Sequence, residues 1–570
     1  MDTALGIVFL ALRYGAEAAG LFVLVQVLRG LWWLFHLLLI APPFDPLRHL
    51  PGPDASRLSN HFSEVMDPAR TPSVHEEWVK QFGKTFRYHG FGAHDYRLMS
   101  FDLRAISHVL TSPTFEKPWQ TRRLLSRVLG QGVFAMEGEA HRIQRRIMAP
   151  AFTTQALKNL TPIMLLKAEE LRDKWLSMIT DGMSDEWEHT ISFPTASEIV
   201  QENRDAEKNI QEDAVADVLR WISRATLDVI GLAGFDYPFE SLKTETEDVY
   251  LAYRNIFDSM DTFGGFKRIA ELFFPIIEKI FPDAGIRRVN ASLKTIRRRG
   301  EEIVRSKKQA IMAEITTSKD IWDKDILSLL KKLSFLIWEI NTQGKFISTF
   351  LFAGSDTTAV ALAWALHYLS LNLDAQSRLR VELATSQANL VVGTDYIDAL
   401  DNLPYLDAVV RETLRFAPPV HGTIRVAVKD DVIPLSEPIL LRSNKVVTGV
   451  HIRKGSFVHV PIEGMNYIKD VWGDDALSFK PERWLSPPPT ALQYPGLANV
   501  MSFTFGPHAC IGWRFALLEM KVFLATLIPQ LEFTPAAEIG KYNTIVTRPF
   551  VKGKLEHGPA LPLRMSKFTL

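Results

Sequence analysis

The stretch Phe503-Thr504-Phe505-Gly506-Pro507-His508-Ala509-Cys510-Ile511-Gly512 contains the only cysteine among the chain's 570 residues. One cysteine forms no intrachain disulfide, and no Cys/His cluster has zinc-ligand spacing. A lone cysteine is most often a small buried apolar residue, so its neighbours must decide its use. Here they are specific. Gly506 permits a turn that a Cβ would obstruct. Gly512 lets the following helix, Trp513 to Leu527, start close under the sulfur, with its amide dipoles directed at it.

Bulk properties narrow the setting. With 47% hydrophobic residues the chain can bury a large core. Lys+Arg and Asp+Glu each number 65, for a formal net charge of zero. No basic excess points to nucleic acid, and no acidic tail to a solvating segment. Without disulfides, the folded part is expected in a reducing compartment, the cytosol.

Ala18 to Ala41 (AAGLFVLVQVLRGLWWLFHLLLIA) is almost continuously apolar. As a helix it would be about 36 Å long, enough to span a bilayer. Arg29 at its middle costs about 2.5–3.5 kcal/mol on insertion scales. Fourteen Leu, Ile, Val and Phe residues, at about −0.3 to −0.6 kcal/mol each, offset it. Trp32 and Trp33 favour the interface, so a tilted or half-inserted helix is an alternative, and a buried core helix another. The tract is too long for a signal-peptide core. Arg48 and Arg57 follow it and Arg13 alone precedes it, which favours a cytosolic body. Residues 1–41 are therefore expected to be a membrane anchor. Residues 42–59, rich in prolines (Pro42, Pro43, Pro46, Pro51, Pro53), are expected to be a stiff extended hinge. Residues 60–570 form the body.

The body shows no internal repeat. Apolar residues at three-to-four spacing predict helices over Ala156–Ile179, Val215–Leu232, Val289–Glu314 and Phe346–Leu371. Strand-like runs follow at Val432–Pro434 and Ser456–Val460. One large domain, mainly α with a minor β region, is expected behind the N-terminal helix.

The cysteine stretch resembles the haem-binding loop of cytochrome P450 monooxygenases, Phe-x-x-Gly-x-x-x-Cys-x-Gly. The resemblance implies the P450 fold, haem b, and Cys510 as the axial thiolate and only metal ligand. Such a thiolate pushes electron density onto iron and favours O–O cleavage. It also implies that Phe503 packs beside the thiolate and that His508 bonds a haem propionate. With Gly506 and Gly512, these residues form the cofactor loop.

Three further motifs follow the family's order. Ala353-Gly354-Ser355-Asp356-Thr357-Thr358 lies inside the apolar helix Phe346–Leu371, where an acid and a threonine are a poor choice for stability alone. It resembles the family's distal helix. The resemblance implies catalytic proton delivery by Asp356 and Thr357, with Gly354 leaving room for dioxygen. Glu412-Thr413-Leu414-Arg415, three apart on one helix face, and Phe479-Lys480-Pro481-Glu482-Arg483-Trp484 resemble the family's structural lock of Glu412, Arg415 and Arg483. Around Glu137–Arg146 the family commonly has Trp-x-x-x-Arg; this chain has His141 and Arg145, as some fungal members do. Both residues still suit carboxylates, and Arg425 is a further expected propionate partner. A solvated basic helix is the plainer reading of Arg142–Arg146.

Two stretches depart from the family pattern: Ile191–Ile210 enlarges a loop, and Lys331–Lys345 is unusually apolar. One or both are expected to be tolerated insertions or gene-model artefacts.

The resemblance implies an NADPH-dependent monooxygenase served by a cytochrome P450 reductase, at the endoplasmic reticulum membrane and facing the cytosol. Arg122, Arg123, Arg127, Arg142, Arg146 and Arg514 are expected to form the patch for that acidic partner. Phe115, Phe134, Met136, Phe350, Ala353, Val420 and Thr423 are expected to line the pocket. Their apolar character suits a lipophilic substrate, and the fungal resemblance suggests secondary metabolism such as terpenoid biosynthesis. The competing readings are a haem-thiolate isomerase or peroxide-driven enzyme needing no reductase, and a non-enzymatic haem-binding or scaffold protein.

Overall fold

The structure is a computed structural model. It describes residues 40–56, 60–182, 213–244, 248–260, 282–317, 345–386, 396–543 and 545–568, with scattered positions from 14 to 35 and at 271, 278 and 280. The segments 191–210 and 331–344 lie outside the described residues.

Helices dominate. Those that build the site are α1 (Leu103–Thr111), α2 (Trp119–Leu129), α3 (Gly138–Met148), α4 (Thr154–Thr180), α5 (Val218–Phe235), α6 (Ala284–Thr317), α7 (Lys345–Leu371), α8 (Pro404–Phe416) and α9 (Trp513–Leu527). The expected helices at 156–179, 289–314 and 346–371 correspond to α4, α6 and α7. The one expected over Val215–Leu232 begins later. Residues Asp213–Asp217 form a strand, and the Asp217 carboxylate then caps α5 by accepting from the Arg220 amide.

The strands are β1 (Thr85–His89), β2 (Tyr96–Ser100), β3 (Phe115–Glu116), β4 (Asp213–Asp217), β5 (Thr423–Ala427), β6 (Asp431–Leu440), β7 (Val446–Ile452), β8 (Phe457–Val460), β9 (Leu531–Pro535), β10 (Ile539–Asn543), β11 (Thr547–Val551) and β12 (Pro562–Lys567). The largest sheet has the order β1-β2-β8-β5-β3, with β2 and β8 parallel and the other pairs antiparallel. It sets Arg425 opposite Val458 and Thr423 opposite Val460. The other sheets are β4-β12-β9, β6-β7 and β10-β11.

The centre of the core is α7, apolar all round as buried helices are. Leu351, Ala359, Val360, Leu362, Ala363, Ala365, Leu366 and Leu369 are all fully buried. Its stretch Ser348–Leu371 is long and apolar enough to cross a membrane by composition, yet it lies mostly inside the protein.

The proline-rich segment is not an extended connector. Pro42 and Pro43 sit in a short helix, Ala41–Phe44, and Pro46–His49 forms a 3₁₀ turn capped by Asp45. Leu47 and Leu50 are buried, the Arg87 amide donates to Pro51 O, and Arg442 donates to Gly52 O and Asp54. Burying these two leucines holds the segment against the sheet.

Candidate haem-thiolate site

The cysteine loop is held by α1 on one side and α3 on the other. Gly506 has φ 79°, and a Cβ there would meet Leu110 O of α1 at 2.9 Å, so glycine is required. Thr504, with φ 53° and ψ −162°, adopts a conformation that β-branched residues rarely take. The Cys510 amide donates to Phe503 O at 2.9 Å, closing the loop on itself. Phe503 and Ala509 are buried, whereas Cys510 is only half-buried. Burial pushes its thiol pKa up; the Gly512 amide, bonded to the sulfur, and the Arg145 charge pull it down. Gly512 caps α9, so the helix begins at the sulfur as its sequence requires.

Beside the loop lies a charged cradle. Lys117 Nζ is 2.8 Å from Glu137 Oε1 and 3.2 Å from His508 Nδ1, and His508 Nε2 is 2.9 Å from Glu137 Oε2. The His141 ring stacks on His508 at 3.9 Å between centroids. Arg145 donates to Ala509 O. Arg425 is 4% exposed, donates to Thr423 Oγ1 at 2.7 Å, and feels the charges of Glu137 and Lys117. Burial would raise the Glu137 pKa, but His508 and Lys117 outweigh it and hold it at about 2. Burial, then the charges of His508, Lys117 and Arg145, lower His141 to about 4.

Among the described residues, Lys117, Arg145 and Arg425 stand beside one carboxylate, Glu137, so the cradle is positively charged, as the propionates of haem b require. The residues present fit the group. The loop, His141, Arg145, His508 and Arg425 come together as the sequence suggested. Lys117 and Glu137 join them without having been assigned a role; the Asp/Glu before a basic helix was the available signal.

In α7, Ala353, Gly354 and Thr357 are partly open within a run that is otherwise buried from Phe350 to Ala363. The Thr357 hydroxyl donates to Ala353 O at 2.9 Å. Asp356 faces elsewhere. Arg548 Nη2 of β11 is 2.7 Å from both its carboxylate oxygens. Burial raises its pKa and Arg548 opposes the rise. The pair borders a small cavity of about 70 Å³ lined by both polar (Arg220, Ser223) and apolar (Leu227, Phe352) side chains, room for water rather than for a substrate.

The Glu412, Arg415 and Arg483 network is assembled and buried. Arg415 grips Glu412 at 2.7 and 2.8 Å, both side chains 0% exposed, and Arg483 Nε lies 3.6 Å from Glu412. Trp484 Nε1 and the Lys480 amide also donate to Glu412 at 2.9 Å, so its lone pairs are filled.

Several expected placements change. Phe350 is buried. Its ring stacks on Phe152 at 6.2 Å and meets Phe235 edge-on at 6.4 Å, because the face carrying positions 350 and 354 packs on α5. Gly354 serves that same packing: a Cβ would meet Ile230 Cδ1 at 2.6 Å. Phe115 is a buried strand residue set edge-on to His108. Thr423 spends its hydroxyl on Arg425. Phe134, Met136 and Val420 retain some exposure, as does Ala353.

The arginines divide. Arg123 and Arg127 pair with Glu278, Arg127 also reaches Asn290 of α6, and Arg122 pairs with Glu116. All three lie on α2, and of them Arg127 reaches α6 while Arg122 turns to β3. Arg142, Arg146 and Arg514 are the exposed ones on α3 and α9, which flank the cysteine loop.

The cytochrome P450 family model matches residues 192–552. The chain is 35% identical over 555 residues to cytochrome P450 monooxygenase 205 of Postia placenta, covering 94% of this chain and 96% of that protein. It is 32% identical over 525 residues to cytochrome P450 monooxygenase claO of Ampulloclitocybe clavipes, covering 87% and 88%. With its single cysteine at the head of α9 and a positively charged cradle for the propionates, the chain belongs to the cytochrome P450 family of haem-thiolate monooxygenases.

Proposed function

We propose that this oxidoreductase is a membrane-anchored fungal monooxygenase that places one oxygen atom from O2 into a lipophilic small molecule of secondary metabolism, a terpenoid being the favoured class. Haem b supplies the redox-active iron that activates dioxygen with electrons from NADPH, delivered through a cytochrome P450 reductase. Cys510 provides the thiolate, with the Gly512 amide and Arg145 holding its charge. Thr357 moves a proton from its hydroxyl. Asp356 recharges that hydroxyl once its carboxyl leaves Arg548, drawing on water in the small cavity beside the pair. The single supporting observation is the opening on α7 at Ala353 and Thr357, small residues in a helix otherwise closed by its neighbours.

Anchoring is supported by the N-terminal helix. Leu21, Leu24, Val25, Leu28 and Trp32 are 42–63% exposed, an apolar surface that a bilayer would cover. Endoplasmic reticulum with a cytosolic body fits the lack of disulfides. Arg142, Arg146 and Arg514 form the reduced patch for the reductase.

The test is product analysis after co-expression with a fungal reductase and a panel of terpenoid, fatty and polyketide candidates. The Thr357→Ala variant should still consume NADPH while peroxide rises and product falls. Unchanged coupling would remove Thr357 from the relay. Turnover driven by peroxide alone, indifferent to NADPH and reductase, would instead identify a peroxide-driven enzyme.

A further inference from the structure

Glu137 stands at the N-cap of α3 and makes no cap bond there; its side chain, 6% exposed, is turned into the cradle instead. A carboxylate beside two propionates repels them, so its presence asks for a use. The contacts supply one. Oε1 accepts from both the amide and the ammonium of Lys117, at 3.1 and 2.8 Å. Oε2 lies 2.9 Å from His508 Nε2, and His508 Nδ1 in turn lies 3.2 Å from the same ammonium. Three side chains therefore close a ring. They come from the residue after β3, the head of α3 and the cysteine loop.

Donors and acceptors around this ring follow from one fact: an ammonium donates and never accepts. His508 Nδ1 is therefore the acceptor, and Nε2 carries the hydrogen that Glu137 receives. Both ring nitrogens are spent. The flat face of the imidazole is taken as well, because His141 of α3 stacks on it at 3.9 Å. His508 cannot offer a nitrogen to another acceptor without opening the ring and leaving His141. Lys117 is placed differently. Two of its three hydrogens serve Glu137 and His508, and the third remains to be given.

We infer that Glu137 is the positioning residue of the cradle: it holds Lys117 directly and through His508, and Lys117, rather than His508, is the propionate donor of that pair. Glu137 and His508 touch no propionate in this assignment. They act through where the Lys117 ammonium stands. The inference rests on the haem-thiolate reading and changes one role that the resemblance implied.

The experiment uses the full-length ferric holoprotein and two readouts that need no turnover. One is the resonance Raman bending band of the haem propionates, which reports hydrogen bonds to them. The other is the rate of haem transfer to excess apomyoglobin. Lys117→Met should shift the band and speed transfer about tenfold, the size of one charge-assisted hydrogen bond. Glu137→Gln keeps the shape but turns one acceptor into a donor, so it should shift the band the same way and by less. His508→Phe keeps a ring for His141 and should behave like Glu137→Gln. In the Lys117→Met background neither change should move the band further, because both act through Lys117. Should Lys117→Met fail to retain haem, Lys117→Gln takes its place in the same comparison. A His508→Phe shift as large in that background as in the wild type would overturn the proposal, since His508 would then bond the propionate itself. So would a Glu137→Gln protein with an unmoved band and transfer rate. Failure of the thiolate reading is separate: it would appear in the wild type as a carbon monoxide complex lacking the long-wavelength Soret band.

Discussion

Arg548 reaches Asp356 from the C-terminal strand β11, its Nη2 2.7 Å from each carboxylate oxygen, across 192 residues of sequence. Both side chains are nearly closed to solvent, 7% and 11% exposed. Breaking a buried pair from one side leaves the other charge stranded. Arg548→Met is therefore expected to destabilise the fold by about 3–5 kcal/mol, and the double variant Asp356→Asn/Arg548→Met to recover most of the loss. Thermal unfolding of the four holoproteins measures this. A single variant as stable as the wild type would mean the pair is a weak surface contact after all.

Gly354 offers a sharper choice between two roles. If its missing side chain leaves room for dioxygen, an alanine there should impair turnover whatever stands on α5. The geometry assigns the space to Ile230, 2.6 Å from the position of the added Cβ. Gly354→Ala should then cost about 1–3 kcal/mol by overpacking. Adding Ile230→Val should relieve that cost. Rescue of melting temperature together with activity supports packing; rescue of stability alone returns the residue to the oxygen site.

How much of this was legible follows from sequence distance. The cysteine loop could be read because Gly506, Cys510 and Gly512 act on each other within seven residues, and α9 follows directly. Glu412 and Arg415 were legible for the same reason, three apart on one helix. Arg548 was not, because nothing near position 548 points to position 356. Lys117 and His508, 391 residues apart, were equally silent as a pair. The contact of Phe350 with Phe235 of α5 was hidden for a different reason. A helix that is apolar all round has no stripe to set its phase, so its pattern could not say which face meets α5. The strand at Asp213–Asp217 was hidden by apolar residues that also suit a helix, although the capping Asp217 marked where the helix begins.

Acid should weaken the fold through its buried histidines. His75 has no hydrogen-bond partner on either ring nitrogen among the described residues, and burial, with the charge of His421 second, lowers its pKa to about 3. The unfolded chain takes up a proton near pH 6.5 that the folded protein refuses. The contribution is therefore whole above about pH 6.5 and is lost as pH falls towards 3, amounting to about 2 kcal/mol at pH 5. His421 and His459 are lowered in the same direction by burial; Glu463 opposes this at His421, while Arg97 adds to it at His459. His75→Leu, set against the Phe101 ring that His75 meets edge-on at 5.3 Å, should flatten the fall in melting temperature between neutral pH and pH 5. Parallel curves for the two proteins would sink the idea.

Haem retention should depend on Arg425 more than on any exposed arginine. Its guanidinium is buried, held by Thr423 Oγ1 at 2.7 Å and Ile424 O at 3.1 Å, and burial lowers its pKa with Glu137 opposing. Such a cation is kept only where an anion makes up the lost hydration, and one carboxylate shared with Lys117 is not enough. Arg425→Met should speed haem transfer to excess apomyoglobin about tenfold, the size of one charge-assisted hydrogen bond. Arg425→Lys should fall between, since it keeps the charge but not the planar fork. Arg142→Met, on the exposed side of α3, should leave the rate unchanged. Equal rates for Arg425→Met and the wild type would mean that the surplus charge beside Glu137 is not there for propionates, and the cradle would need another anion to explain it.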